Sequence, residues 1–160
     1  MNDININLGE AIINCRAAAI ITSENKILLH KMRGDSFWTL AGGKIKCQET
    51  SEDAILRELK EEIATDVTVE KLLIIAENFF TFDYKLFHEF CFIYKICDGD
   101  KLVSNNNIFT NENLIYHWFN INEIPDIKIK PDFMKSVLLD MPSDLKHIVC
   151  IENPGHDKGD

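Results

Sequence analysis

No run of lysine or arginine and no basic stripe occurs anywhere in this chain. Its 17 Lys and Arg are outnumbered by 26 Asp and Glu, giving a net charge of −9 over 160 residues. A surface of that sign repels phosphate backbones, so duplex nucleic acid is excluded as an expected partner. Long apolar runs are missing too. The longest fall far short of the roughly 20 residues a bilayer requires, and no membrane association is expected. The opening stretch MNDININLGE starts acidic and has no basic region ahead of an apolar segment. It does not read as a secretory signal, which favours a cytoplasmic location. The cysteines Cys15, Cys47, Cys91, Cys97 and Cys150 are odd in number, and no two are spaced C-x-x-C. That pattern speaks against a disulfide framework or a zinc site and for small, reduced, buried hydrophobes, with Cys47 the most exposed. The five histidines show no ligand spacing and read as structural or surface residues, His30 and His117 included. Internal repeats and a domain linker are also absent.

What remains is an ordinary globular composition, 46% hydrophobic, in a chain long enough to bury roughly 70% of its unfolded surface as one domain. Residues 1–151 are expected to form it. Glu152 to Asp160, ENPGHDKGD, has nothing to bury and reads as a disordered tail. Ile12 to Thr22 and Lys26 to Arg33 read as a strand pair joined by the turn Ser23-Glu24-Asn25. Phe37 to Leu40 is a short extended piece entering Ala41-Gly42-Gly43. Val67 to Thr81 and Leu86 to Cys97 read as two strands joined around Asp83-Tyr84, and Leu114 to Phe119 as another. Asp98-Gly99-Asp100 and Ser104 to Asn107 are turn and loop. Asn120 to Ile124 is a helical turn stopped by Pro125, and Pro131 suits the first turn of a helix continuing to about Leu139. The order of these elements predicts an α/β fold: a mixed β-sheet with helices on both faces.

The most informative stretch is GKIKCQETSEDAILRELKEEIAT, from Gly43 to Thr65. At about 100° per residue, Glu58, Glu61 and Glu62 share one helical arc while Ile55, Leu56, Leu59 and Ile63 fill its neighbour. Thr50 or Ser51 is the expected N-cap, and Thr50 with Asp53 three residues on resembles a capping box. Three carboxylates so gathered repel one another by a few tenths of a kcal/mol per pair. A hard divalent cation with oxygen ligands is the natural compensation.

The same stretch resembles the Nudix box, with Gly43, Glu49, Arg57, Glu58, Leu59, Glu61 and Glu62 in register. Two positions depart: Ala64 stands where the family has glycine, and Thr65 where it has an aliphatic residue. The resemblance implies a MutT-like Nudix α/β/α sandwich and a metal-dependent hydrolase. Its expected reaction is cleavage of the phosphoanhydride of a nucleoside diphosphate linked to another moiety, such as a nucleoside triphosphate or a nucleotide sugar. It implies Mg²⁺ or Mn²⁺ held by Glu58, Glu61 and Glu62, with Glu61 or Glu62 acting as, or positioning, the general base. Arg57 is expected to orient a carboxylate, and Glu49 either caps the helix or supports the metal site from outside. Gly42 and Gly43 would supply close backbone approach, and Lys44 could reach a phosphate. A further acidic residue often precedes a late Trp-containing strand in such proteins. Trp118 resembles that marker, making Glu112 the candidate fourth ligand or base and Glu89 its competitor. Trp38 matches a family tryptophan and reads as a packing residue. The aromatics Phe79, Phe80, Phe82, Tyr84 and Phe87 are expected mostly in the core, with one or two free to stack on a nucleobase. Readers of ADP-ribose commonly carry a proline after the box, and here the first proline is Pro125. The expected partner is a small-molecule nucleotide. Many relatives are homodimers, although no segment of this chain marks an interface. The rival reading is a Nudix-like sensor that binds a nucleotide without cutting it.

Overall fold

Strand β2 (Ala11–Ser23) is the spine of the protein. The computed structural model describes residues 1–97, 99–102, 108–111 and 113–152. One edge of β2 runs parallel to β6 (Lys85–Ile96) from Ala11 to Ile21. Its other edge is shared by three short partners in turn. These are β1 (Asn5–Asn7), β4 (Ala41–Lys44) and, only at Thr22 and Ser23, β3 (Lys26–Met32). Beyond β6 lie β5 (Val69–Phe82) and β9 (Lys146–Ile151), and beyond β3 lie β8 (Leu114–Asn120) and β7 (Ile108–Asn111). The β2–β6 and β5–β9 pairs are parallel and the rest antiparallel, so the sheet is mixed. β2 and β3 part after two residues, and residues 39–44 fill the gap, with Thr39 bridging His30 of β3 and β4 pairing with β2.

Alternation along the strands builds two cores. Ala17, Ala19 and Ile21 of β2 and Tyr94 of β6 face helix α1 (Ser51–Ile63), whose Ala54, Ile55 and Leu59 are fully buried. Burying Ile55 and Leu59 contributes about 1.5–3 kcal/mol each. Ala18, Ile20, Cys91 and Ile93 face the opposite way, against Met134, Val137 and Leu138 of helix α2 (Met134–Leu139). Helices thus cover both faces, as the sequence predicts. The hairpin β5–β6 turns through Asp83 and Tyr84, both with positive φ, the backbone a two-residue type I′ turn requires.

Several elements differ from expectation. Helix α2 begins at Met134, not at Pro131, whose carbonyl instead accepts a hydrogen bond from the Met134 amide in a preceding turn. Pro125 lies inside the 3-10 segment Ile121–Asp126 rather than ending it. Strands β1, β7 and β9 have no counterpart in the sequence pattern. They are short edge strands, ordered by their partners more than by their own residues. Glu152 is fixed at the end of β9, its amide donating to the Phe79 carbonyl and its carboxylate 3.3 Å from Lys130. Residues 153–160, and the Ser104 to Asn107 loop, lie outside the described residues.

Thr50 caps α1 as expected, its hydroxyl accepting from the Asp53 amide at 3.0 Å and donating to the Asp53 carboxylate at 2.7 Å. At the other end Ala64 adopts a left-handed conformation, φ 57° and ψ 26°, and its amide bonds the Lys60 carbonyl. Glycine meets that geometry without strain, whereas a residue with Cβ pays about 1–2 kcal/mol. We predict that Ala64→Gly stabilises the protein by about 0.5–1 kcal/mol after the added freedom of the unfolded chain is subtracted. An unchanged or lower urea midpoint would refute this.

Candidate functional site

The residues of α1 converge on β4 because glycine permits it. A Cβ on Gly43 would lie 2.3 Å from the Glu58 carboxyl carbon. A Cβ on Gly42, which sits at φ 142°, would lie 2.2 Å from the Ala17 carbonyl oxygen. The Gly-Gly pair therefore lets β4 press against β2 on one side and the Glu58 carboxylate on the other. Adding a methyl at Gly43 meets only the movable end of a side chain, so the fold should survive while the carboxylate is displaced. The prediction for Gly43→Ala is an unchanged far-UV spectrum with Mn²⁺ affinity reduced about 10–100-fold, the usual scale for a misplaced ligand shell. Wild-type affinity by calorimetry would refute it.

Arg57 organises the acidic face. Its Nε and Nη2 donate to the two oxygens of Glu49 at 2.7 and 2.9 Å, and its Nη1 donates to Glu58 at 2.7 Å. Nη1 also reaches Glu61 at 3.4 Å, and Nη2 reaches the Lys44 carbonyl at 3.2 Å. The fork of Arg57, aided by the Lys46 amide at 2.9 Å, holds the Glu49 carboxyl down at about 2. Glu49 thus supports the cluster through Arg57 and is not a helix cap. Arg57 itself is pushed up by Glu49, against the opposing effect of burial, with Glu58 adding to the rise.

Glu62 is treated differently. Burial raises its pKa and the neighbouring charge of Glu58 adds to the rise, while the hydroxyl of Tyr116, donating at 2.6 Å, opposes it. His30 Nδ1 lies 3.8 Å from Glu62. Burial, reinforced by the Arg16 guanidinium, pushes His30 down to about 3, so the ring is neutral and the contact is not an ion pair. Arg16, on β2, donates to the carbonyls of Gly42 at 2.9 Å and Leu40 at 3.4 Å. Tyr116, His30 and Arg16 were not expected at the site. Tyr116 stands two residues before Trp118 on β8, and only the pairing of β8 with β3 brings it to α1.

The candidate residues are therefore brought together in part. Glu58, Glu61, Glu62, Arg57, Glu49, Gly42 and Gly43 form one neighbourhood, and Lys44 touches it through its carbonyl. Glu61 is the exposed member, its side chain 58% accessible. Glu112 lies outside the described residues. Glu89 is set apart from the α1 glutamates. On β6 it alternates with the residues facing α1, and it lines a cavity on the other side of the sheet. Trp38 packs edge-on to Phe119 with ring centres 4.9 Å apart, and Lys31 covers its face. The β5–β6 aromatics are not core residues. Phe82 and Tyr84 are exposed at the hairpin tip, and Phe80 stacks on Phe87 at 5.0 Å.

Among the described residues no three acidic, imidazole or thiol side chains already converge as a finished metal cage. Oxygen donors on one helical face, one of them in a glycine-lined contact, suit a cation that takes only one or two carboxylates and completes its shell with water and phosphate. That is the habit of Mg²⁺.

The profile of the NUDIX domain matches residues 14–140. The chain belongs to the Nudix family. An ADP-ribose pyrophosphatase of Methanocaldococcus jannaschii is 44% identical over 57 residues, 34% of this chain and 34% of that protein. An 8-oxo-dGTP diphosphatase of Proteus vulgaris is 38% identical over 72 residues, 42% of this chain and 64% of that protein. The matched stretches span less than two thirds of either relative. In three dimensions the crystal structure of a NUDIX hydrolase from Nitrosomonas europaea superposes with a TM-score of 0.61. It covers 87% of this chain and 79% of that one at 19% identity, a likeness of fold. No helix among the described residues is long and apolar enough to cross a membrane.

Proposed function

We propose that this Nudix protein is a pyrophosphohydrolase that cleaves the phosphoanhydride of a nucleoside diphosphate derivative with Mg²⁺ or Mn²⁺. The observation that carries this is Glu58, Glu61 and Glu62 on one helix face, with Glu58 seated against Gly43 and gripped by Arg57. Glu58, Glu61 and Glu62 would hold the cation, and Glu112 remains the proposed additional acid. A divalent ion there supplies charge stabilisation to phosphate oxygens and makes a nearby water more acidic.

The protein's own part is positioning and proton handling. Glu61 or Glu62 accepts the proton of the attacking water. Arg57 keeps Glu58 from turning away, and Tyr116 fixes one oxygen of Glu62. Arg16, which lines the cavity and acts electrostatically on Glu62, offers a guanidinium to a substrate phosphate. Lys44 is a second candidate. The substrates in the names of the two relatives, ADP-ribose and 8-oxo-dGTP, share a nucleoside joined to a diphosphate, and we extend that core to this chain.

The test is hydrolysis of nucleoside triphosphates, nucleotide sugars, ADP-ribose and dinucleoside polyphosphates, with phosphate and pyrophosphate scored separately. Turnover that EDTA abolishes and Mg²⁺ or Mn²⁺ restores would support the proposal. Tight nucleotide binding without metal-dependent turnover would instead make the protein a sensor.

A further inference from the structure

On the face of the sheet away from α1, a cavity of about 220 Å³ opens beside the second core. It is smaller than a typical whole-ligand pocket of ~300–1,000 Å³, a size suited to one ring system. Glu89 and Asn78 line it, and Asn14 stands beside Glu89 in the same cross-strand row. Asn14 on β2 pairs with Glu89 on β6, which pairs with Asn78 on β5. Asn78 Nδ2 donates to Glu89 Oε1 at 3.0 Å, and Asn14 Nδ2 donates to Oε2 at 3.4 Å. The two amides are 3% and 5% exposed, so they cannot swing out to solvent and the carboxylate between them is fixed on both oxygens.

Glu89 is half-buried and forms no ion pair among the described residues. Lys130, which also lines the cavity, is engaged by Asp132 at 3.2 Å and Glu152 at 3.3 Å. Arg16 turns its Nη2 to the Gly42 and Leu40 carbonyls and makes no ion pair with Glu89. A partly buried carboxylate without a cation calls for further donors. Each of its oxygens has a second acceptor site, so it offers two parallel acceptors to whatever enters.

Two adjacent, parallel N–H donors are the matching edge. Among the common nucleobases only guanine carries them, at N1–H and the 2-amino group. Adenine and cytosine set a donor beside an acceptor, and uracil and thymine flank their N–H with carbonyls that would face the carboxylate. Phe37, Phe80 and Phe82 line the same cavity, and aromatic faces stack on a base without choosing among bases. From the geometry we infer that Glu89, held by Asn14 and Asn78, is the specificity residue of a pocket that selects the N1–H and 2-amino edge of a guanine-type base. This deepens the proposed function, on which it rests.

The experiment compares kcat/KM for dGTP, 8-oxo-dGTP, dITP, dATP and dCTP in the wild type and in Glu89→Gln. Inosine lacks only the 2-amino group. Guanine and guanine oxidised at C8 share the recognised edge, and a preference for either supports the inference. We expect the better guanine substrate to exceed dITP by about 10- to 100-fold, the range for a good bidentate contact. Glu89→Gln, which exchanges one acceptor for a donor, should bring that ratio close to one while the far-UV spectrum stays that of the wild type. Equal wild-type rates on dGTP, 8-oxo-dGTP and dITP would overturn the inference and leave the hydrolase proposal intact. A variant that keeps the full ratio would do the same. Absence of turnover on every nucleotide would count against the hydrolase itself. Calorimetry with guanosine and inosine monophosphates then decides: tighter guanosine binding of at least about 10-fold upholds the inference, and equal or undetectable binding ends it.

Discussion

Turnover on a nucleotide substrate is expected to fall at least about 100-fold when Glu61 or Glu62 is replaced singly by glutamine, the scale of a lost proton acceptor. Glutamine keeps the size and one acceptor oxygen of each side chain and removes only the charge. The Tyr116 hydroxyl can still donate to an amide oxygen at position 62, so the fold should be retained. Stability should even improve in Glu62→Gln. A carboxyl whose folded pKa is raised, here first by burial and then by Glu58, is strained by being ionised at neutral pH. Neutralising it removes that cost above the folded pKa. The predicted signature is thus a higher melting temperature with activity nearly lost, the exchange expected where a destabilising group serves a reaction. Rates within threefold of wild type in both variants would sink the assignment. A lowered melting temperature in Glu62→Gln would sink the electrostatic part of it.

Arg57→Lys should lower kcat about 10- to 100-fold while leaving the KM for nucleotide nearly constant. The argument is geometric. One planar fork serves Glu49, Glu58 and the Lys44 carbonyl at once. An ammonium is a point charge and cannot reproduce the two parallel bonds to Glu49. Glu58 would then be free to leave Gly43, which predicts weaker Mn²⁺ binding in parallel with slower turnover. If Arg57 instead touched substrate, KM would rise and the metal affinity would hold. Calorimetry with Mn²⁺ alone separates the two cases.

The acidic helix was readable in the sequence because its information is local. Three glutamates, an arginine and a glycine at fixed spacing specify one face of one helix, and Thr50 and the apolar stripe specify where it starts and what it buries. The alternation in β2, β5 and β6 was equally local, and so was the Asp83-Tyr84 turn. What could not be read depends on pairing between distant strands. Tyr116 meets Glu62 across 54 residues, and the Asn14, Glu89, Asn78 row exists only because β2 and β6 lie parallel in one particular register. The β5–β6 aromatics illustrate the limit. Their alternation suggests a core, yet near the hairpin tip Phe80 and Phe82 pack on Phe87 and line the cavity, and Tyr84 is fully exposed. Ala64 shows the opposite case. The departure from the family glycine was visible, and the backbone reveals that the position demands the left-handed turn all the same.

The placement of α1 and the cavity on opposite faces of the β2–β6 pair carries an engineering consequence. Side chains that shape the cavity point away from the helix, so they can be exchanged to retune what the protein accepts without disturbing the apparatus that would break the bond. Arg16 is the exception, since it borders the cavity, grips the Gly42 carbonyl and influences both His30 and Glu62. A library aimed at new ligands should vary the aromatic rim freely and keep that arginine.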